Sequence, residues 1–204
     1  HNSNYAVGTT HAKLETTPDG QASFAVPIEV PPGIKGFTPK VTISYTSGAP
    51  NGLVGLGGSL SGFSAIIRCG STIAQDGVNR AVRADSGDQF CLGGQRLVLV
   101  QGTHGGAGAI YHTEIESFQR ITIDTSLSGP GGGYSPQSFT LRNSAGGIVQ
   151  YGSDSGSRVS DPRSNIVHAW WVSHVEDTQG NTMDYTYRDH SGPGLARRPA
   201  LEGL

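Results

Sequence analysis

The residues best suited to chemistry in this chain sit in one short run, His112-Thr113-Glu114-Ile115-Glu116. On a strand, alternate side chains share a face, so His112, Glu114 and Glu116 would line up together. Two carboxylates placed so can split their pKa values and serve as an acid and a base. With His168 or His174 added, the same side chains are of the types that bind a divalent metal. Two ligands without a third at fixed geometry define no site, however. Asp177, Asn181 and Asp184 offer oxygen ligands but lack the spacing of a calcium-binding EF-hand loop. Their Asp-x-x-Gly-Asn pattern is explained more simply as a hairpin turn, and the Glu pair as solvent-facing carboxylates on a strand.

Three further motifs fail on inspection. A Glu-x-Glu element also occurs in ADP-ribosyltransferases, but there it accompanies an Arg on one strand and Ser-Thr-Ser on another. Here Gly70-Ser71-Thr72-Ile73 breaks the second element. The run "GLGGSLSG", Gly55–Gly62, misses the dinucleotide fingerprint because its last glycine falls two places late. It misses the nucleophile elbow as well, since Ser61 stands where that motif needs glycine. Trp170, Trp171, Tyr185 and Tyr187 could line a carbohydrate groove, or they could pack as core and sheet-face residues. No catalytic residue, cofactor or metal ion is expected.

Composition explains why chemistry is so sparse. The chain has 204 residues, 31 of them glycine, with 15% charged residues and a formal net charge of −2. Glycine at that density interrupts helices and supplies turns, which favours many short strands. The basic residues are scattered, so no footprint for nucleic acid or an anionic membrane is present. No apolar run approaches the roughly 18 residues of a membrane span. The opening "HNSNYAVGTTHAKLE" has neither the cationic head nor the apolar core of a Sec signal peptide. Cys69 and Cys91 read either as two buried thiols or as a disulfide between neighbouring strands, the latter implying an oxidising destination.

The elements that must position these residues follow from alternation. Phe24, Val26, Ile28 and Val30 alternate with Ala25, Pro27 and Glu29, and Val41, Ile43 and Tyr45 repeat the pattern. Pro27 places its strand at an edge or a bulge. Asn51-Gly52 is expected to turn a hairpin, as are Gly93-Gly94, Ala145-Gly146-Gly147 and Gly180-Asn181. Further strands are expected at Phe63–Arg68, Ile110–Ser117, Gln119–Asp124, His168–Val175 and Thr182–Arg188. Ser126–Pro136 reads as a flexible stretch, and a helical turn is expected at most near Pro162–Asn165. The fold class is therefore all-β: antiparallel, glycine-rich short strands in curved or sandwich-like sheets. The expected organisation is a flexible segment over 1–22, a β domain over 23–188, and a tail or linker over 189–204, where alternation is lost.

Several stretches together resemble the SpvB-type N-terminal region, shared by the Salmonella plasmid virulence protein B and the B components of insecticidal toxin complexes. They are "VPIEVPPGIKGFTPKVTISYTSG" (Val26–Gly48), "NGLVGLGGSLSGFSAIIRC" (Asn51–Cys69), "AQDG" (Ala74–Gly77), "DQFCLGGQRLV" (Asp88–Val98) and "YHTEIESFQRI" (Tyr111–Ile121). "GGIVQYGSDSGSRV" (Gly146–Val159) and "VEDTQGNTMDYTY" (Val175–Tyr187) continue the series, and the last is similar to the rhythm of Rhs and YD-repeat shells. Gly58 stands where the family usually places Trp, and the resemblance stops near Asp189. It implies part of a strand-wound shell: a non-enzymatic module of a secreted bacterial virulence or toxin protein that helps enclose, dock or deliver a separate toxic domain. The partners implied are the rest of the parent chain and other toxin-complex subunits. An autonomous glycan-binding or adhesion domain is the alternative.

Overall fold

The computed structural model describes residues 13–16, 20–31, 33, 37–49, 51–52, 55–115, 118–129, 133–161, 166–189 and 199–201. Nearly every regular element among them is an antiparallel strand, and α1 (Ile73–Asp76) is a single helical turn. The chain divides into two compact units, His1–Phe63 and Ser64–Leu204.

The first unit holds β1 (Lys13–Thr16), β2 (Ala22–Ile28), β3 (Val41–Thr46), β4 (Asn51–Gly52), β5 (Gly55–Leu56) and β6 (Gly58–Ser61). Four of these form a sheet in the order β1-β2-β3-β6. Its register sorts the side chains by type. Leu14 faces Phe24 and Phe24 faces Tyr45 in one cross-strand row, and Val26, Ile43 and Leu60 form the next. Ser23, Ser44, Thr46, Ser59 and Ser61 fall on the opposite face, as the period of two requires. Lys13 lies opposite Ala25, so beyond that point β2 has only β3 beside it among the described residues. Pro27, which has no N–H to donate, lies in this one-sided part. Asn51 and Gly52 do not form the turn expected of them. They are paired strand residues, opposite Leu56 and Gly55.

The second unit is a closed barrel. Its strands are β7 (Ala65–Cys69), β8 (Gln89–Leu92), β9 (Gln95–Gln101), β10 (Ile110–Thr113), β11 (Arg120–Ser128), β12 (Tyr134–Arg142) and β13 (Ile148–Tyr151). After β14 (Arg158–Ser160) comes β15 (Val167–Glu176), which pairs with both β13 and β7 and so joins the ends of the sheet. Closure into eight strands leaves no free edge around the ring. Ten residues let β15 hold four neighbours: β14 and β7 along its first half, β13 and β16 (Thr182–Asp184) along its second. β17 (Tyr187–Asp189) and β18 (Pro199–Leu201) form a separate pair.

Alternation fills the barrel. Ile66, Phe90, Leu97, Tyr111, Ile121, Phe139 and Trp170 are all but fully buried in one cluster. Phe90 meets Trp170 and Phe139 edge-on at 5.6 and 5.5 Å, an arrangement worth about 0.5–1.5 kcal/mol per pair beyond area burial. Gly93 and Gly94, both at positive φ, close the two-residue hairpin between Leu92 and Gln95. The two ends of Ser126–Pro136, expected to be a flexible stretch, are paired strand residues. Ser126, Leu127 and Ser128 pair with Pro136, Ser135 and Tyr134, and bulges near Thr125 bend the long β11–β12 ribbon. The strand expected over Thr182–Arg188 breaks after Asp184, and Tyr187 turns its hydroxyl to the Val172 carbonyl at 2.6 Å. The turn expected at Pro162–Asn165 lies outside the described residues, and the helical turn that is described is α1.

Candidate functional site

The barrel separates the residues that spacing alone would join. His112 pairs with Val98 and shares its outward parity, because the neighbouring Tyr111 is buried in the barrel. His168 and His174 lie on β15, which is diametrically opposite β10 in the eight-stranded ring. No common ion can reach across. Among the described residues no three His, Cys, Asp or Glu side chains are grouped to hold a metal.

The carboxylates have other partners. Glu114 Oε1 accepts from Gln75 Nε2 at 2.6 Å, and Glu116 lies outside the described residues. His174 Nδ1 contacts Asp184 Oδ1 at 2.6 Å across β15 and β16. Asp177 Oδ1 accepts from the backbone N–H groups of Gln179 and Asn181, and its Oδ2 from Asn181 Nδ2. Asp177 and Asn181 are therefore hairpin residues. Gly55–Gly62 carries β5 and β6, and the next element is a strand, Ala65–Cys69, so no helix N-terminus follows it directly to present a phosphate cradle.

The aromatic quartet is split as well. Trp170 is fully buried and donates Nε1–H to the Pro136 carbonyl, so it offers no face to a sugar. Trp171 points the other way, with its ring 6.2 Å from the buried Tyr187. Tyr185 donates its hydroxyl to Met183 Sδ. Cys69 and Cys91 lie on adjacent strands, β7 and β8, and are joined by a disulfide with Cα atoms 5.9 Å apart.

A dense polar group among the described residues was not singled out by any motif. It stoppers one end of the barrel, where β7 ends and β8 begins. Asp88 is buried at its centre. Its Oδ1 accepts from the Arg83 N–H at 2.9 Å and from Arg80 Nη1 at 3.3 Å. Its Oδ2 accepts from the Asp85 N–H at 3.2 Å and lies 3.7 Å from Arg68 Nη1. Arg68 also donates to the Val167 and Asp85 carbonyls and stands over the rings of Phe90 and Trp170. Burial lowers the Arg68 pKa, and the Asp88 and Asp85 charges oppose that shift. Arg80, hydrogen-bonded to Asp85, holds the Asp85 carboxyl below its ordinary range.

His104 completes the stopper. Its Nε2 faces the Asp88 carbonyl at 2.9 Å, and a carbonyl can only accept, so Nε2 carries the proton. Tyr111 accepts from the Gly105 N–H and donates to His104 Nδ1 at 3.1 Å. That donation requires a neutral imidazole, and burial lowers the His104 pKa in the same sense. Burial also pushes the Tyr111 hydroxyl up to about 12. These groups are enclosed and mutually satisfied, so their chemistry is to fix loops rather than to meet a substrate. Sequence reading missed them because their partners are backbone groups and residues up to 99 positions apart.

A family model described as SpvB, Salmonella virulence plasmid 65kDa B protein, matches residues 16–202. The chain belongs to the SpvB family. The match continues past Asp189, beyond the stretches that carry the resemblance in the sequence. No match was found among curated proteins. Among solved structures, the crystal structure of TcdB2-TccC3 has a TM-score of 0.69 at 21% identity, over 94% of this chain and 10% of that one. The Photorhabdus luminescens Tc holotoxin pore has a TM-score of 0.66 at 23% identity, over 91% and 9%. The N-terminal domain of effector protein SpvB from Salmonella typhimurium strain LT2 has a TM-score of 0.58 at 22% identity, over 79% and 53%. At these identities the likeness is one of fold. This SpvB-family chain spans about a tenth of the first two and about half of the third. No helix among its described residues is long and apolar enough to cross a membrane.

Proposed function

We propose that this SpvB-family chain is a non-enzymatic structural module of a secreted bacterial virulence or toxin protein, a wall segment that helps enclose, dock or deliver a separate toxic domain. Family membership across residues 16–202 carries the reading. The small share of each related chain that it spans supports a place within a longer polypeptide. The face of the four-stranded sheet supports it further. Leu14, Phe24 and Tyr45, neighbours in one row, are 73%, 40% and 47% exposed, and Ile43 beside them is 37% exposed. An apolar row of this kind in register is an interaction surface on a sheet otherwise faced with serine and threonine. Its partner in this reading is more of the parent chain. The disulfide suits an oxidising destination outside the bacterium.

Light scattering and thermal melting of the 204-residue chain beside a longer parent chain test the proposal. The short chain is expected to self-associate through the open face, and the longer one to be monodisperse with a higher melting temperature. A short chain that is monodisperse and equally stable alone would overturn the reading and leave an autonomous domain. A nicotinamide-release assay on the 204-residue chain is expected to be blank.

A further inference from the structure

The two ends of the barrel differ. Opposite the Arg68–Asp88–His104 stopper, the strands open onto a cavity of about 400 Å³ lined entirely by the second unit. Its apolar wall is Leu92, Leu141 and Val149, and Gln95 and Gln119 are polar members of its lining. The Ser64 and Tyr151 hydroxyls, hydrogen-bonded to each other at 3.1 Å, supply a further polar point, with Tyr151 almost fully buried. None of the described lining residues is charged.

We propose that this mouth is a binding site for a neutral stretch of extended polypeptide, one aliphatic or aromatic side chain entering between Leu92, Leu141 and Val149. The mouths of barrels are recurrent ligand sites, and a cavity of this size accepts a side chain with its flanking backbone. A carboxamide presents a donor and an acceptor together, which matches the C=O and N–H of a peptide unit. No described lining residue carries a charge to offset the desolvation of a phosphate, a carboxylate or a cation, which disfavours all three. Tyr151 is too enclosed to stack on a sugar ring, which disfavours carbohydrate. The occupant is a segment of the longer polypeptide, since about nine-tenths of the two toxin-complex chains and nearly half of the SpvB chain lie outside the part matched here. That choice of source rests on the function proposed above, whereas the chemistry of the site does not.

The test is methyl and side-chain amide NMR of the 204-residue chain titrated with acetyl-Ala-Leu-Ala-amide, acetyl-Ala-Asp-Ala-amide or methyl glucoside. The Leu peptide is expected to shift the Leu92, Leu141 and Val149 methyls and the Gln95 and Gln119 amides saturably, with Kd on the order of 1 mM. The Asp peptide should bind about tenfold more weakly or worse, because its charge would be buried unpaired. Gln119→Ala, at the rim, should weaken binding while the rest of the spectrum is unchanged. No saturable shift, equal binding of the Asp peptide, or stronger binding of the glucoside would overturn the proposal. In a longer parent chain the three methyl signals should already be displaced and no longer respond to peptide. If they respond there as before, the occupant is not part of the chain. The light-scattering result does not depend on any of these outcomes, so each reading can fail alone.

Discussion

Replacing Asp88 by Asn keeps the side-chain volume and removes the charge at the centre of the stopper. The Asn oxygen can still accept from the Arg83 N–H, but the new amide nitrogen then faces the Asp85 N–H and Arg68, donor against donor. Breaking a buried ion pair from one side costs about 3–5 kcal/mol. The lower end applies here, because Arg68 keeps the Val167 and Asp85 carbonyls at 2.7 and 2.9 Å. A loss of about 3 kcal/mol, at a urea slope of about 2 kcal/mol per molar, moves the unfolding midpoint down by about 1.5 M. Tryptophan fluorescence reports the barrel directly, since both tryptophans of the chain, Trp170 and Trp171, belong to its unit. The double variant Arg68→Met with Asp88→Asn removes both charges, relieves the donor-against-donor contact with Arg68 and leaves an oxygen for the Arg83 N–H, and is expected to recover part of the loss. A cost below about 1 kcal/mol for Asp88→Asn, or a double variant no better than the single one, would refute the assignment of the stopper's energy to this pair.

Reduction of the disulfide, or Cys69→Ala with Cys91→Ala, frees a loop with a sequence separation of 22 and should cost about 3 kcal/mol on the chain-entropy account. Equal urea midpoints with and without reductant would exclude it. His104 is held neutral, with its folded pKa below the ordinary 6.5, so the unfolded chain binds the extra proton first. Its contribution is complete above pH 6.5 and is lost as pH falls below it. Between pH 7 and 5 the barrel should therefore lose more stability than a His104→Gln variant, and parallel pH profiles would count against the tautomer assigned here. Gly152→Ala places a Cβ 2.5 Å from Trp170 Cδ1 and 2.8 Å from the Gln137 carbonyl, at a φ of 68°. Left-handed strain and overpacking together should cost about 2–4 kcal/mol, read by the same fluorescence melt.

Strand alternation and glycine pairs made the fold class legible before any coordinates, because a period of two and a positive-φ turn are local properties. Gly93-Gly94 turns where the pattern says it should, and Trp170 and Trp171 point to opposite sides as neighbours on a strand must. Local signals also misled. Asn51-Gly52 has the residues of a turn yet pairs as a strand, and Ser126–Pro136 has the composition of a linker yet is largely held in register. Asn51 and Gly52 are taken up by pairing with Leu56 and Gly55 just downstream, whereas Ser126 also donates its Oγ–H to the carbonyl of Gly105, 21 positions away. The sequence by itself determined an all-β chain of short antiparallel strands in the SpvB family. Only the tertiary structure decided that β15 closes eight of them into a barrel, and that His112 and His174 stand on opposite walls. It decided too that Asp88 is a buried anchor rather than a surface charge. Those outcomes depend on which strands meet at long range, and no spacing within a strand encodes the partner across the ring.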